Sequence, residues 1–233
     1  RYNIRGDLMD LFIYYGLGLL GLIIVLWAQF NVTGNYKKYR GYKVKSNLTG
    51  QEVARKILDA NGLKDVYVVE TKGELTDHYD PSRKVVRLSS AIFHEESISS
   101  VGVAAHECGH AIQDKEGYTF MRIRSALVPF VNLVSYLGYF GLIISIFAGL
   151  TGYLKISILI LGVTILFQLV TLPVEFDASK RAKEQLISLG LIDDNEHEQV
   201  SKVLFAAAMT YVAGLISNLL QLLRLVLILN DRD

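Results

Sequence analysis

Five residues near the middle of the chain have the types and spacing of a zinc site. His106-Glu107-Cys108-Gly109-His110 is an H-E-x-x-H motif. On a helix, residues four apart lie on one face, so His106 and His110 can bind a single zinc ion. Glu107 lies about 100° further round the helix, where its carboxylate can act as general base toward an attacking water. The motif predicts metal-assisted hydrolysis, and two packed structural histidines are the alternative interpretation.

Two histidines leave this site one protein ligand short. Catalytic zinc generally takes three protein ligands and keeps one position for water. The other candidates are His78, His94, His197 and carboxylates on a second helix. Glu175 is favoured because it follows an apolar span that returns to the side of the motif. Asp177 is its rival, and a surface carboxylate stabilised by a helix start is the alternative role for Glu175.

The composition limits the class of protein. The chain has 233 residues, of which 51% are hydrophobic and 20% are charged. A formal net charge of +1 gives no field that would attract nucleic acid. The single cysteine, Cys108, excludes an intrachain disulfide and points away from the two-histidine face, so we expect it to pack in the core.

Four stretches are long and apolar enough to cross a bilayer, namely residues 11–30, 126–150, 154–172 and 206–229. Trp27 lies near one end of the first as an interfacial anchor, and the lack of a small-residue cleavage site argues against a signal peptide. The second and third, joined by a connection near Lys155, predict a hairpin that returns to the side it left. Arg224 in the fourth is expected to snorkel, to pair with another span or to line a wet cavity.

Basic residues next to these spans predict the topology. They follow the first span and flank the hairpin on both sides: Lys37, Lys38, Arg40, Lys43, Lys45, Arg122, Arg124, Lys180, Arg181 and Lys183. The positive-inside rule therefore places residues 31–125 and 173–205 in the cytoplasm and both termini outside. A multi-pass protein of the plasma membrane is the expected localisation.

The segments between the spans predict a small α+β head. Thr49 and Glu52 form a capping box for a helix that stops at Gly62. Extended pieces are predicted at residues 66–69, 76–79 and 84–88, followed by the motif helix at residues 97–113, whose start the charges of Glu95 and Glu96 favour. Later, Pro173 is predicted to begin a helix. A further helix, capped by Asp193-x-x-Glu196, is expected to continue into the fourth span.

The cluster Asp77-His78-Tyr79-Asp80 has two interpretations. His78 or Tyr79 can donate a hydrogen bond to the oxyanion of a tetrahedral intermediate, and the strand beside it can pair with an extended substrate. Alternatively, the cluster is a turn in which Asp80 caps the loop before Pro81. We keep His78 as a candidate catalytic donor.

Three motifs resemble one family. Leu75-Thr-Asp-His-Tyr-Asp-Pro81, Gly102-Val-Ala-Ala-His-Glu-x-Gly-His-Ala-Ile-Gln113 and Leu172-Pro-Val-Glu-Phe-x-Ala-Ser-x-Arg-Ala182 are similar to the neutral zinc metallopeptidases of bacterial membranes. More distantly, the chain resembles the heat-shock-type membrane metalloproteases and the CAAX prenyl proteases. The resemblance implies that Glu175 is the third zinc ligand. Those relatives usually carry Asp four residues later, whereas this chain has Ser179, which leaves the group that orients a zinc histidine undetermined.

The sequence thus predicts an α-helical membrane protein with four transmembrane helices and a zincin-like cytoplasmic catalytic head. The expected function is a gluzincin-like endopeptidase with one catalytic Zn²⁺, acting on membrane proteins or peptides. An intramembrane site-2-type protease is one alternative. It is disfavoured because charged residues flank the motif on both sides, and the uncharged stretch between them is too short to span a membrane. A non-catalytic zinc-binding scaffold is the other, and it would not need Glu107. The oligomeric state is not predicted.

Overall fold

The computed structural model describes residues 15–147 and 153–230 of the chain. Within these residues the fold is mostly helical, with one small sheet. The elements in chain order are α1 (Leu17–Arg40), α2 (Gly50–Ala60), β1 (Tyr67–Thr71), β2 (His78–Asp80), β3 (Val85–Ser89), α3 (Ser90–His94), α4 (Ile98–Glu116), α5 (Thr119–Phe147), α6 (Tyr153–Ser188) and α7 (Asp194–Asn230). The predicted span positions 11–14 and 148–150 lie outside the described residues.

The chain divides into two compact units, which we call the apolar unit and the head unit. The apolar unit comprises Arg1–Gln29, Ile123–Thr171 and Thr210–Asp233, and the head unit comprises Phe30–Arg122 and Leu172–Met209. All four boundaries fall inside long helices, so these helices contribute residues to both units.

The apolar unit contains the membrane candidates. Four helices in the described part of the chain, α1, α5, α6 and α7, are long and apolar enough to cross a membrane. At most 17% of the residues in the most apolar window of each helix are buried within the protein. Such exposed apolar surface is costly in water and favourable in lipid, which is the expected pattern for a membrane-associated protein.

Small and polar side chains bring the helices of the apolar unit together. A Cβ atom at Gly21 would lie 2.8 Å from the hydroxyl of Ser217, so α1 and α7 approach closely there. The Asn218 amide donates a hydrogen bond to Gln168 Oε1 at 3.0 Å, which joins α7 to α6. Close approach at small residues and hydrogen bonds between polar side chains are the usual means of packing apolar helices in lipid.

The head unit encloses one hydrophobic core beneath a three-stranded sheet. The strand order is β1-β3-β2, with β1 parallel and β2 antiparallel to β3. The central strand is apolar and buried at Val85, Val86 and Leu88, as expected for a strand covered on both faces. Helix α4 lies against the sheet and against α2 and α3, and its buried residues include Val101 and Ala104.

Several local predictions are confirmed. The Thr49 side chain accepts a hydrogen bond from the Glu52 backbone N–H and the Glu52 side chain accepts one from the Thr49 backbone, which is the predicted capping box of α2. At the start of α7, Glu196 N–H donates to Asp193 Oδ1 at 2.9 Å and Asp193 N–H donates to Glu196 Oε2 at 2.9 Å. Helix α7 then continues without interruption to Asn230, as expected.

One local prediction is wrong. Pro173 does not begin a helix but lies inside the 36-residue helix α6. Proline inside a helix removes one backbone hydrogen bond, but long apolar helices tolerate it where neighbouring groups satisfy the freed carbonyl. Glu95 and Glu96 directly precede Ser97, the residue that caps α4, so they lie next to the predicted helix start. Both are also paired with basic residues: Glu95 accepts hydrogen bonds from Arg40 at 2.5–3.0 Å, and Glu96 pairs with Lys43 at 3.2 Å.

Candidate metal centre

Helix α4 carries the H-E-x-x-H motif through the centre of the head unit. Ser97 caps its first turn by accepting a hydrogen bond from the Ser100 backbone N–H. Gly117 ends it in the left-handed conformation, with φ of 67°, which glycine adopts at little cost. Cys108 within the motif is buried, and its Sγ lies 3.6 Å from the Ala54 carbonyl oxygen of α2. Burial raises the pKa of this thiol. This geometry supports the predicted packing role of Cys108.

A close approach of α6 brings a second helix to the motif. A Cβ atom at Gly109 would lie 2.5 Å from the Ala178 carbonyl oxygen, so only glycine fits at this position without a shift of backbone. Ala178 and Ala182 are fully buried on the facing side of α6. Small residues on both helices therefore allow a carboxylate on α6 to reach the histidines of α4.

The structure brings the three predicted ligands together. Glu175 Oε2 lies 3.3 Å from His106 Nε2 and 3.6 Å from His110 Nε2. The candidate ligand atoms of His106, His110 and Glu175 all lie within 4.8 Å of one another. Only 4% of the Glu175 side chain is exposed, so a buried carboxylate faces two imidazoles without intervening solvent.

These residues fit a zinc ion. Tetrahedral zinc, bound at about 2.0–2.1 Å by nitrogen or oxygen, places its ligand atoms roughly 3.3–3.5 Å apart. The two Nε2–Oε2 distances of 3.3 and 3.6 Å are close to this spacing. Two imidazoles and one carboxylate are also ligand types that zinc prefers, and three protein ligands leave a position for water.

Each histidine is oriented through its other ring nitrogen. The Nδ1 atom of His106 lies 3.1 Å from the Ser179 hydroxyl, and that of His110 lies 3.0 Å from Gln113 Oε1. When Nδ1–H donates these hydrogen bonds, Nε2 keeps its lone pair directed toward Glu175. Ser179 thus occupies the place of the Asp that the resemblance suggested, and it orients His106 with a neutral hydroxyl.

A buried hydrogen-bond network connects His110 to the protein surface. The Gln113 amide N–H₂ donates to the Val174 carbonyl at 2.9 Å and to Asp177 Oδ2 at 2.8 Å. Arg181 donates to the same Asp177 oxygen at 2.6 Å and to Glu116 at 2.6 Å. Because Gln113 is fully buried and uses both ends of its amide, it joins a motif histidine to helix α6.

Electrostatics in this centre favour a proton or a metal ion between the three side chains. Burial raises the pKa of the Glu107 carboxyl, and charge on His106 and His110 opposes this shift. Burial by itself would lower the pKa of His110, but the Glu175 and Glu107 carboxylates and Gln113 outweigh it and raise that pKa. Protons therefore compete with a metal ion for His110, and a divalent cation can take their place.

The remaining candidates lie elsewhere. In the described part of the chain, His106, His110 and Glu175 are the one group that could hold a metal ion. Asp177 is bound by Gln113 and Arg181 instead. Exposed His94 lies 3.3 Å from Glu70, and the backbone N–H of His197 donates to Asp193 within a helix start.

The residues of the Asp77–Asp80 cluster make both local and long-range hydrogen bonds. His78 is exposed on β2, and its Nδ1 lies 2.8 Å from the Thr76 carbonyl. Asp80 accepts hydrogen bonds from Ser82 and Arg83, as expected for the turn. Tyr79 donates to Asp114 at 2.8 Å and so joins β2 to the end of α4. The proposed donor role of His78 stays a prediction.

Two functional candidates were not singled out from the sequence. Gln113 follows His110 by three residues, and this spacing places both on one side of α4. Arg181 follows Asp177 by four residues, which is a spacing for ion pairs on a helix. Both spacings are present in the sequence, but only the packing of α4 against α6 joins these residues into one hydrogen-bond network.

Comparisons with known proteins agree with this chemistry. The family described as "Putative neutral zinc metallopeptidase" matches residues 14–230. The chain is 46% identical over 224 residues to a Bacillus subtilis protein named "Putative membrane protease YugP", covering 96% of this chain and 99% of that protein. No solved structure matches the chain significantly. With the match extending over nearly the whole sequence, the chain belongs to the family of putative neutral zinc metallopeptidases.

Proposed function

We propose that this protein is a membrane-embedded zinc endopeptidase whose ion is held by His106, His110 and Glu175. The observation that supports the proposal most is the convergence of three ligand atoms within 4.8 Å, from two helices that are far apart in the sequence. Glu107 is adjacent to His106 and is 7% exposed, as expected for a general base shielded from bulk water.

The roles of the residues follow from this arrangement. When bound, zinc supplies a Lewis acid that makes water a nucleophile near neutral pH. Glu107 takes a proton from the attacking water and returns it to the leaving amine. His106 and His110, oriented by Ser179 and Gln113, present Nε2 to the site, and Glu175 supplies the negative charge. His78 remains a candidate donor to the oxyanion, provided that substrate binding brings the reacting carbonyl to β2.

The proposed substrates are membrane proteins or peptides close to the membrane. The four long apolar helices and the name of the Bacillus subtilis relative both support action in a membrane. The basic residues in the last turn of α1, including Lys37 and Lys38, support a cytoplasmic location for the head unit. The protein would then cross the plasma membrane four times and cleave loops or tails on the cytoplasmic side.

The two alternative functions predict different observations. A site-2-type protease carries its motif on a spanning helix, whereas α4 is not among the helices long and apolar enough to span. A non-catalytic zinc scaffold needs the three ligands but no carboxylate at position 107. The burial of Glu107 against the adjacent histidines favours the enzyme, because an unused buried carboxylate is costly.

Metal analysis and turnover of the purified, detergent-solubilised protein test this proposal. We expect about one zinc per chain, cleavage of casein or of a membrane protein, loss of cleavage with a chelator, and recovery with zinc. Glu107→Gln should keep the metal and lower turnover by about 10²–10⁴-fold, as expected for loss of a general base. Glu184→Gln, the same change at an exposed position of α6, is the matched control. Turnover of Glu107→Gln within a few-fold of the parent would contradict the assignment.

A further inference from the structure

Arg224 lies in the last apolar helix, far from the metal centre in sequence and in the other structural unit. A guanidinium in a membrane span is rare because leaving water is costly, and it normally has a partner. The sequence left three possible roles for this residue, namely snorkelling, pairing with another span and lining a wet cavity. The contacts of its guanidinium distinguish between these roles.

The Arg224 guanidinium has more hydrogen-bond donors than acceptors among the described residues. Its Nη1 donates to Gln221 Oε1 at 3.3 Å, one turn earlier on α7. In the part of the chain that the structure describes, its buried Nε has no hydrogen-bond partner and no carboxylate pairs with the guanidinium. A buried donor without an acceptor costs free energy, and more so when it is charged. Within residues 15–147 and 153–230, no carboxylate on another span compensates this charge.

A groove of about 470 Å³ lies beside the guanidinium. Its lining consists of Tyr15, Gly18, Leu19, Leu22, Gln221 and Arg224. Gly18 is important here, because a Cβ atom at that position would lie 3.3 Å from Arg224 Nη1. The missing side chain at position 18 leaves room beside α1 for the guanidinium, which also lines the groove.

We propose that this groove binds the phosphate of a glycerophospholipid through Arg224. A guanidinium presents a planar fork of donors that matches a phosphate, and the unsatisfied Nε belongs to that fork. Leu19 and Leu22 offer apolar surface to the glycerol and acyl chains, while Tyr15 is of the aromatic type found where helices meet headgroups. A free phosphate ion would gain nothing from the leucines, which is why a lipid is the proposed occupant.

This site is independent of the peptidase proposal and requires only that α1 and α7 cross a membrane. Lipid binding can therefore be measured without turnover, and a failure of one proposal leaves the other untouched. We would titrate phosphatidylglycerol into the full-length protein in a neutral detergent and count bound lipids by native mass spectrometry. Diacylglycerol with the same chains lacks the phosphate, and inorganic phosphate lacks the chains.

Three variants provide the comparison. Arg224→Gln should weaken phosphatidylglycerol binding by about tenfold or more, because charge-assisted hydrogen bonds are lost. Arg224→Lys keeps the charge without the fork and should be intermediate. Lys155→Gln makes the same charge change at an exposed position in the first turn of α6, which the predicted topology places on the same side, and should bind like the parent.

Each possible result of these titrations supports or overturns a stated part of the proposal. Equal phosphatidylglycerol affinity of the parent and Arg224→Gln would overturn the proposal. Equal affinity for diacylglycerol and phosphatidylglycerol would overturn the role of the phosphate, and competition by inorganic phosphate with no contribution from the chains would make the groove a site for free anions. Should Arg224→Gln fail to fold, Arg224→Lys and the two lipids on the parent protein still decide the matter.

Discussion

At the scale of single residues, the candidate centre depends on which partner each of the two ring nitrogens of a histidine faces. Nδ1 of His106 faces the Ser179 hydroxyl and Nδ1 of His110 faces the Gln113 side chain, so both Nε2 atoms face Glu175. Neutral orienting groups leave the imidazoles less basic than carboxylates would. The charge that balances a zinc ion therefore comes mainly from Glu175.

The role of Glu175 leads to the first prediction at this scale. Glu175→Ala should lower zinc affinity by more than the roughly 10–100-fold that loss of an outer partner costs, because it removes a ligand. Asp177→Ala keeps all three ligands and should cost less, since Asp177 accepts hydrogen bonds from Gln113 and Arg181 and lies outside the group of candidate ligands. Competition with a chromophoric chelator measures both. Full zinc occupancy after Glu175→Ala, with loss after Asp177→Ala or His78→Ala, would show that the third ligand is misassigned.

Gln113 gives the second residue-scale prediction. Gln113→Leu removes the acceptor for His110 and both donors to α6, and we expect zinc affinity to fall by about 10–100-fold while the fold persists. Gln113→Glu can still accept from His110 but would repel Asp177, so it should recover part of the affinity only. The visible spectrum of the cobalt-substituted protein reports changes in ligand geometry. Gln51→Leu, on the exposed side of α2, is the control, and parental affinity in Gln113→Leu would refute the positioning role.

At the scale of elements, the site depends on the contact between α4 and α6. Glycine at position 109 faces the Ala178 carbonyl, and the buried methyl groups of Ala178 and Ala182 fill the remaining space. Helix backbones approach this closely only where side chains are small. The 36-residue length of α6 matters as well, because one rigid element carries Glu175, Ser179 and Asp177 together.

Gly109→Ala tests this contact. The new Cβ would lie 2.5 Å from the Ala178 carbonyl oxygen, so the helices must separate and Glu175 must move away from the histidines. We expect a loss of about 1–3 kcal/mol in stability, typical of overpacking, together with weaker zinc binding. Gly102→Ala is the matched control on the same helix, because its Cβ would meet only Val200 at 3.4 Å. Thermal unfolding and metal titration that show no difference between the two variants would contradict the argument.

At the scale of the whole molecule, the basic residues predict a cytoplasmic head unit and an external end of α7. Cysteine labelling of intact cells with an impermeant maleimide can test this. Native Cys108 is fully buried and should give little background. We expect labelling of Asn230→Cys in intact cells and labelling of Lys64→Cys, which is exposed in the head unit, only after lysis. The opposite pattern would reverse the topology.

Local sequence patterns determined much of this architecture. Long apolar runs predicted the four membrane candidates, and the capping boxes at Thr49 and Asp193 located two helix starts. The spacing of His106 and His110 on α4 follows from the helical repeat alone. These features depend on neighbouring residues or on solvent preference, so no knowledge of distant contacts is needed to predict them.

Only the tertiary structure decided what lies around the histidines. Glu175 is 69 residues from His106, and its choice over Asp177 as a neighbour of the histidines depends on how α6 is rotated against α4. Pro173 lies inside α6 and not at a helix start, because the preference of proline for helix starts is weaker than the packing of a long helix. The orienting roles of Ser179 and Gln113, and the unsatisfied Nε of Arg224, likewise depend on which described atoms approach within hydrogen-bond distance. Such distances arise from side-chain packing between elements far apart in the chain, which no local pattern encodes.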